Sequence, residues 1–226
     1  MPMLAQGAFG APAFAMPPLL APSGPQVLSR RLERSLRGDA RLVIERRWRI
    51  AFSPQGRRIA ITGTQIAAEV EAPEVLAPMA AIERNRPTDT MWPIVLSDEG
   101  RIVGAGEETR QEDFDAMLRK AREVIATLPI PPAERSAKQE GLASLKVLGT
   151  SLLERLPDDL FVPSGQPQHQ ARTVALPGGL TGEYELTYEA QSAPGSPWLA
   201  RAVRQVTTRV EGTEDRSREE WTLAPL

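Results

Sequence analysis

Residues 41–52 read RLVIERRWRIAF, and this stretch decides the fold. Leu42, Ile44, Trp48, Ile50 and Phe52 fall on one side of an extended chain, at the period of 2 that marks a strand with one buried face. Ser53-Pro54-Gln55-Gly56 follows, with Pro at the second and Gly at the fourth position of a type I turn. A return strand is therefore expected from Ile59 and Ile61 to about Val70. Upstream, Leu28, Leu32 and Leu36 fit a helix as well as a strand over 26–36. Gly38-Asp39 turns straight into 41–52, which selects the strand.

The rest of the chain extends the pattern. Pro73 and Pro78 bracket a short helix ending near Asn85, with Pro78 in its first turn. Ile94–Leu96 and Arg101–Val103 flank Ser97-Asp98-Glu99-Gly100 and read as a hairpin. Thr109 and Glu112 form a capping box. Phe114, Met117, Leu118, Ala121, Val124, Ile125 and Leu128 then repeat at helical spacing, which predicts a helix over 109–128. A second helix is expected over 136–155, with Leu142, Leu145, Leu148 and Leu152 on one face. After Pro157 come four strands, at 170–176, 181–190, 197–210 and 214–223. In the second of these, Tyr184, Leu186 and Tyr188 alternate with Glu183, Glu185, Thr187 and Glu189.

Short turns imply antiparallel pairing, and the apolar helical stripes would cover the buried sheet face. The predicted fold is α+β. A strongly curved, mainly antiparallel sheet of about nine strands, an incomplete barrel, packs on two or three helices near 78–85, 109–128 and 136–155. Residues 26–226 form one domain.

Composition narrows the function. The chain has 226 residues, 27 basic and 29 acidic, with 41% apolar and 25% charged side chains, as in ordinary globular proteins. The absence of cysteine excludes disulfides, thiolate metal sites and cysteine nucleophiles. His169 is the one histidine, so no site needing two imidazoles is possible and no metal centre is expected. No run of 18 apolar residues exists for a membrane-spanning helix. Arginine outnumbers lysine 24 to 3, a bias that suits a GC-rich genome. Residues 1–29 carry no charge and six prolines, and Ala13-Phe14-Ala15 has the A-x-A form that precedes signal-peptide cleavage. Residues 1–25 are then either a signal-peptide remnant whose true start lies upstream of Met1, or a plain Pro/Ala leader. The first reading makes the protein periplasmic or secreted, the second cytoplasmic. In both, residues 1–25 are expected to add little to stability.

No catalytic motif is present: the nucleophile elbow, the S-x-x-K and H-E-x-x-H patterns, the P-loop and the EF-hand loop are all missing. Gly104-Ala105-Gly106 lacks the third glycine of a dinucleotide fingerprint. A non-enzymatic protein without a cofactor is expected. The acid pairs Glu69/Glu71 and Asp158/Asp159 read as solvated, as does His169. Residues 30–58 hold ten arginines against Glu33, Asp39 and Glu45. That excess suits an anionic partner, or a sheet face whose arginines pair with acids elsewhere. Nucleic acid is disfavoured, because Trp48 and Phe52 share the aliphatic face and offer no stacking platform.

Two arginines break the pattern. Arg46 has the parity of Trp48 and Ile50, and Arg204 that of Trp198, Ala202 and Val206. An unpaired charge is too costly to bury. Each must meet a carboxylate, reach water at a pocket mouth, or receive an anionic ligand. The candidate ligand-binding residues are therefore Arg46 and Arg204 as a clamp, with Trp48, Tyr184, Tyr188 and Trp198 lining the apolar part.

The stretches RLVIERRWRIAF (41–52), PIVLSDEGRIVG (93–104) and SREEWTLAPL (217–226) resemble uncharacterised exported proteins of alphaproteobacteria, over roughly residues 26–226. The layout of curved sheet and helices is also similar to periplasmic lipoprotein carriers, which hold acyl chains inside an unclosed barrel. The resemblance implies export and a lipid-like or amphipathic small-molecule ligand in a sheet–helix pocket. The alternative is a structural or protein-interaction module with a filled core, docking through a sheet edge or a basic face.

Overall fold

The computed structural model describes residues 19–36, 40–106, 131, 156–175, 181–210 and 213–226. They form one antiparallel sheet of nine strands: β1 (Gln26–Ser35), β2 (Arg41–Gln55), β3 (Arg58–Glu71), β4 (Ile94–Leu96), β5 (Ile102–Ala105), β6 (Gln168–Ala175), β7 (Thr181–Ser192), β8 (Leu199–Val210) and β9 (Thr213–Pro225). Their spatial order is β5-β4-β3-β2-β1-β9-β8-β7-β6, so the sheet is not closed on itself. Each half of the chain is a meander, and the two halves join where β1 pairs with β9 from Gln26↔Pro225 to Arg34↔Ser217. The Leu226 amide also donates to the Pro25 carbonyl at 3.2 Å.

The number of strands and the antiparallel, unclosed sheet agree with the sequence; the covering layer does not. Among the described residues there is one α-helix, α1 (Ala77–Arg84), with proline in its first turn. Among the described residues the sheet carries this one short helix rather than two or three, and the helices expected at 109–128 and 136–155 lie outside the described residues. The expectation rested on the need to cover the inner face. Two other devices serve that need here: the sheet curls until its own side chains meet, and an irregular segment fills the space between them.

Geometry measures the curl. Strands β2 and β8 are three steps apart, which in a flat sheet is about 14 Å, yet the rings of Phe52 and Trp198 lie 4.8 Å apart and edge on. Residues 156–164 complete the closure. The Ile102 amide of β5 donates to the Asp158 carbonyl at 2.8 Å, and the Leu199 amide of β8 donates to the Phe161 carbonyl at 3.0 Å. Three residue steps span at most about 11 Å, whereas six strand spacings in a flat sheet would be about 29 Å. The two wings are thus drawn together by a strap of chain. Its Leu160 and Phe161 are wholly buried, in a core shared with Leu28, Trp48, Ile50, Ile61, Ile94, Leu96, Trp198 and Trp221.

Two local features explain which residues face inward. The β2–β3 register shifts between Arg47↔Ala67 and Trp48↔Gln65, which leaves Ile66 as the extra residue of a bulge. This lets Ile59 and Ile61 face the core at one end of β3 and Val70 at the other, although their parities differ. The hairpin reversal itself lies two residues beyond the expected turn. Pro54 stays in the strand opposite Ile59, and the loop is Gly56-Arg57, with Gly56 at φ +62°.

Of the segment 1–25, residues 19–25 are described, and they touch the core. Leu19 and Ala21 pack against it, and the Leu20 carbonyl accepts the indole N–H of Trp198 at 2.9 Å. The remainder of the segment lies outside the described residues. No helix among the described residues is long and apolar enough to cross a membrane.

Gly63 carries a sharp packing constraint. A Cβ placed there would lie 2.3 Å from Cζ2 of Trp92, whose ring covers the backbone. Gly63→Ala is expected to destabilise the protein by about 1–3 kcal/mol through overpacking. A chemical-denaturation midpoint unchanged from wild type would show that the Trp92 ring moves aside freely.

Candidate functional site

The inner face carries a belt of charge. On β1, β9 and β8, Leu32↔Glu219 and Glu219↔Arg204 are register neighbours, and Arg30↔Trp221 is the next pair along. Glu219 is fully buried (0% exposed), between Arg30 and Arg204. Its Oε1 accepts from Arg30 Nε. Its Oε2 accepts from Arg204 Nε at 3.0 Å and Nη2 at 2.5 Å. The Arg204 guanidinium also lies over the Trp221 ring, 5.1 Å from its centroid, the geometry of a cation–π contact.

Arg46 continues the belt on β2, opposite Arg30. It is equally buried, and its fork is occupied. Nη2 donates to the Glu83 carbonyl at 2.5 Å and to Glu83 Oε1 at 2.9 Å. Nη1 donates to Gln65 Oε1 at 2.9 Å and to the Arg86 carbonyl at 3.4 Å. Arg46 thereby fastens the C-terminal end of α1, where free carbonyls and the helix dipole favour a cation. Beside it, Trp48 Nε1 donates to Thr88 Oγ1 at 2.9 Å, and Thr88 donates to Gln65.

Both arginines thus sit on the apolar face, as their parity required, and each meets a protein carboxylate. The structure brings Trp48, Tyr188 and Trp198 together in the main core, with both indole N–H groups satisfied within the protein. Arg46 and Arg204 stand in the belt, and Tyr184 lies beyond it with Val206 and Leu186.

Beyond the belt the inner face changes character. A small apolar cluster of Tyr184, Leu186 and Val206 stands on β7 and β8. A second, of Leu32, Ile44, Val70 and Ala80, stands on β1, β2, β3 and α1. Ser217 and Arg34, paired across β9 and β1, lie between them. Among the described residues, two buried donors along this border have no hydrogen-bond partner, the Tyr184 hydroxyl and Ser217 Oγ; a third, Trp221 Nε1, stands on the core side of the belt. Such groups are rare, since an unsatisfied buried donor costs about 1–3 kcal/mol. Ser217 and Trp221 were not singled out in the sequence. Their signal was their even spacing about Glu219, which puts all three on one face of β9.

Asp159 was read as solvated and is buried instead. Its Oδ2 accepts from the Ser164 amide at 3.0 Å and hydroxyl at 2.7 Å, with Arg101 Nη1 at 3.6 Å. The Tyr188 hydroxyl lies beside Asp159. Burial is the main cause that pushes the Tyr188 hydroxyl well above its ordinary value of 10.0, and the Asp159 charge adds to it. Burial also raises Tyr184, against the pull of Arg204 and Arg172. His169 is exposed, within 3.1 Å of Glu185, and Glu69 is exposed as read.

The outer face is a ladder of ion pairs. Arg201 grips Glu220 with two bonds of 2.7 and 2.9 Å, and holds its carboxyl below the usual range. Arg209 and Arg216 do the same for Glu214. Of the arginines in 30–58, Arg31 pairs with Glu33 and Glu45, Arg47 with Glu69, and Arg57 with Asp98. Glu33 and Glu45 belong to the same segment, whereas Glu69 and Asp98 are acids from outside it that meet part of the basic excess.

Glu219→Ala would leave Arg30 and Arg204 around a buried vacancy of negative charge. A loss of about 3–5 kcal/mol is expected, against less than about 1 kcal/mol for Arg47→Ala at the exposed pair. Similar losses from the two, in denaturant titrations, would contradict the belt's role. The raised tyrosines set an alkaline limit. Above pH 10 the unfolded chain gives up phenolic protons that the folded chain retains, so stability falls as pH rises. The slope is about 1.4 kcal/mol per pH unit for each such tyrosine. Tyr188→Phe should flatten the stability–pH curve between about pH 10 and 11 by roughly that slope, and an unchanged curve would refute it.

No protein-family model matches the chain, and no curated protein matches it, so the functional reading rests on these residues.

Proposed function

We propose that this is a non-enzymatic, exported protein that binds an amphipathic small molecule on the inner face of its curved sheet. The observation that carries the reading is the pair of buried donors, the Tyr184 hydroxyl and Ser217 Oγ, that have no hydrogen-bond partner among the described residues. They border two apolar clusters that stand apart on the sheet. Hydroxyl donors suit an acceptor-bearing head, a carboxylate or phosphate. The flanking clusters suit an apolar chain. The head-group partners are therefore these donors; Arg46 and Arg204 hold the scaffold that presents them. The A-x-A pattern at Ala13-Phe14-Ala15 supports export.

A second reading, an interaction module with a filled core, is favoured by one observation. Trp48, Trp221, Phe161, Leu160 and Ile61 are wholly buried and pack the core side of the belt with protein side chains.

Titration with dansylated undecanoic acid, followed by fluorescence, separates the two. Tyr184→Phe and Ser217→Ala are each expected to weaken binding about fivefold, the equivalent of one hydrogen bond near 1 kcal/mol. Absence of binding to folded wild-type protein would favour the filled module. Binding insensitive to both changes would place the head group elsewhere.

A further inference from the structure

We infer that residues 158–164 are a self-inserted plug that holds the apolar half of the inner face closed, and that their withdrawal opens it to the chain of an amphipathic ligand. This rests on the reading above, and extends the seat of the apolar chain from the flanking clusters to the core side of the belt.

The plug is unlike the rest of the core. Among the described residues, every other large buried side chain on the inner face, apart from Trp198 in the turn before β8, comes from a strand held on two sides by ladder bonds. Leu160 and Phe161 come from an irregular segment held to the sheet by two backbone bonds, one to each wing. Those wings are β5, four residues long, and the first residue of β8. Between the bonds, Phe161 packs edge on against Phe52 at 6.2 Å, next to Trp198. The seat is therefore lined by aromatic and aliphatic groups that accept any apolar chain. The segment also carries a carboxylate, Asp159, into the interior. That group is held by Ser164 of the same segment, with Arg101 of the β4–β5 turn at 3.6 Å, so most of its compensation travels with it. A glycine at φ +72°, Gly165, lies just beyond and gives the chain a point of reversal. Withdrawal would break two sheet bonds and leave the strand ladders intact, which is the form that local opening takes.

Two measurements test this. In hydrogen exchange of the wild-type chain, the amides of Ile102 and Leu199 should exchange together, at least about tenfold faster than the paired amides of β1 and β2. Exchange of both at the rate of global unfolding would overturn the plug. In stopped-flow mixing with dansylated undecanoic acid, Phe161→Ala should accelerate uptake by about tenfold or more over wild type, and Phe161→Leu by less. Phe161→Leu serves alone should the alanine variant not fold. Folded variants with wild-type uptake would overturn the plug and leave the ligand reading intact. If neither wild type nor variants take up the probe, both fall. Uptake by the variants alone supports the plug most directly.

Discussion

Arg30 and Glu219 are 189 residues apart in the chain, and they meet on adjacent strands at the seam between its two halves. Glu219 also takes two bonds from Arg204 on the far side of the seam. Three strands, β1, β9 and β8, are thus tied by one carboxylate. Removing two cations and an anion from water is costly, and their attraction repays the cost only when every bond is well made. The arrangement adds specificity of register. Sliding β9 by one residue would turn Glu219 to solvent and take it from the buried Arg204 and the half-buried Arg30.

The second belt member works on a different scale. Arg46 joins a strand to the end of α1 through four acceptors, so the belt both sews the sheet and positions the one helix described. It divides the inner face into a main core and a smaller polar-edged region. Among the described residues, tyrosine and serine donors stand unused along that division. A protein selected for stability alone would satisfy or remove them, which is why they, rather than the arginines, mark the region of interest.

Most of the sheet was legible because alternation is a local signal. RLVIERRWRIAF and the run around Tyr184 and Tyr188 carry their strand identity in adjacent residues, and Arg46 and Arg204 declared their burial through parity alone. Three things were not legible. The position of the β2–β3 loop depended on Gly56 adopting a positive φ, a choice that outweighed the Pro54 turn pattern. The covering of the sheet depended on curvature, which sums small twists over nine strands and has no residue of its own. The strap was hidden because Asp158-Asp159 resembles a solvated loop. The apolar triplet Leu160-Phe161-Val162 behind it was the available clue. Shared parity says which face a side chain takes, but the belt that separates Trp48 from Tyr184 arises only when β2, β1, β9 and β8 are assembled.

The pairing of β1 with β9 has a consequence for how the chain comes into being. Strands β1 to β5 can assemble while the remainder is still being made, but β1 then offers a bare edge of ten residues. Its partner, β9, begins only at Thr213. Closing a loop of this length carries an entropy cost that grows as the logarithm of its size, and no earlier strand relieves it. Until β9 is made, the nascent half-sheet is a template for mispairing. A chain so ordered gains from being kept unfolded until both strands of the seam exist.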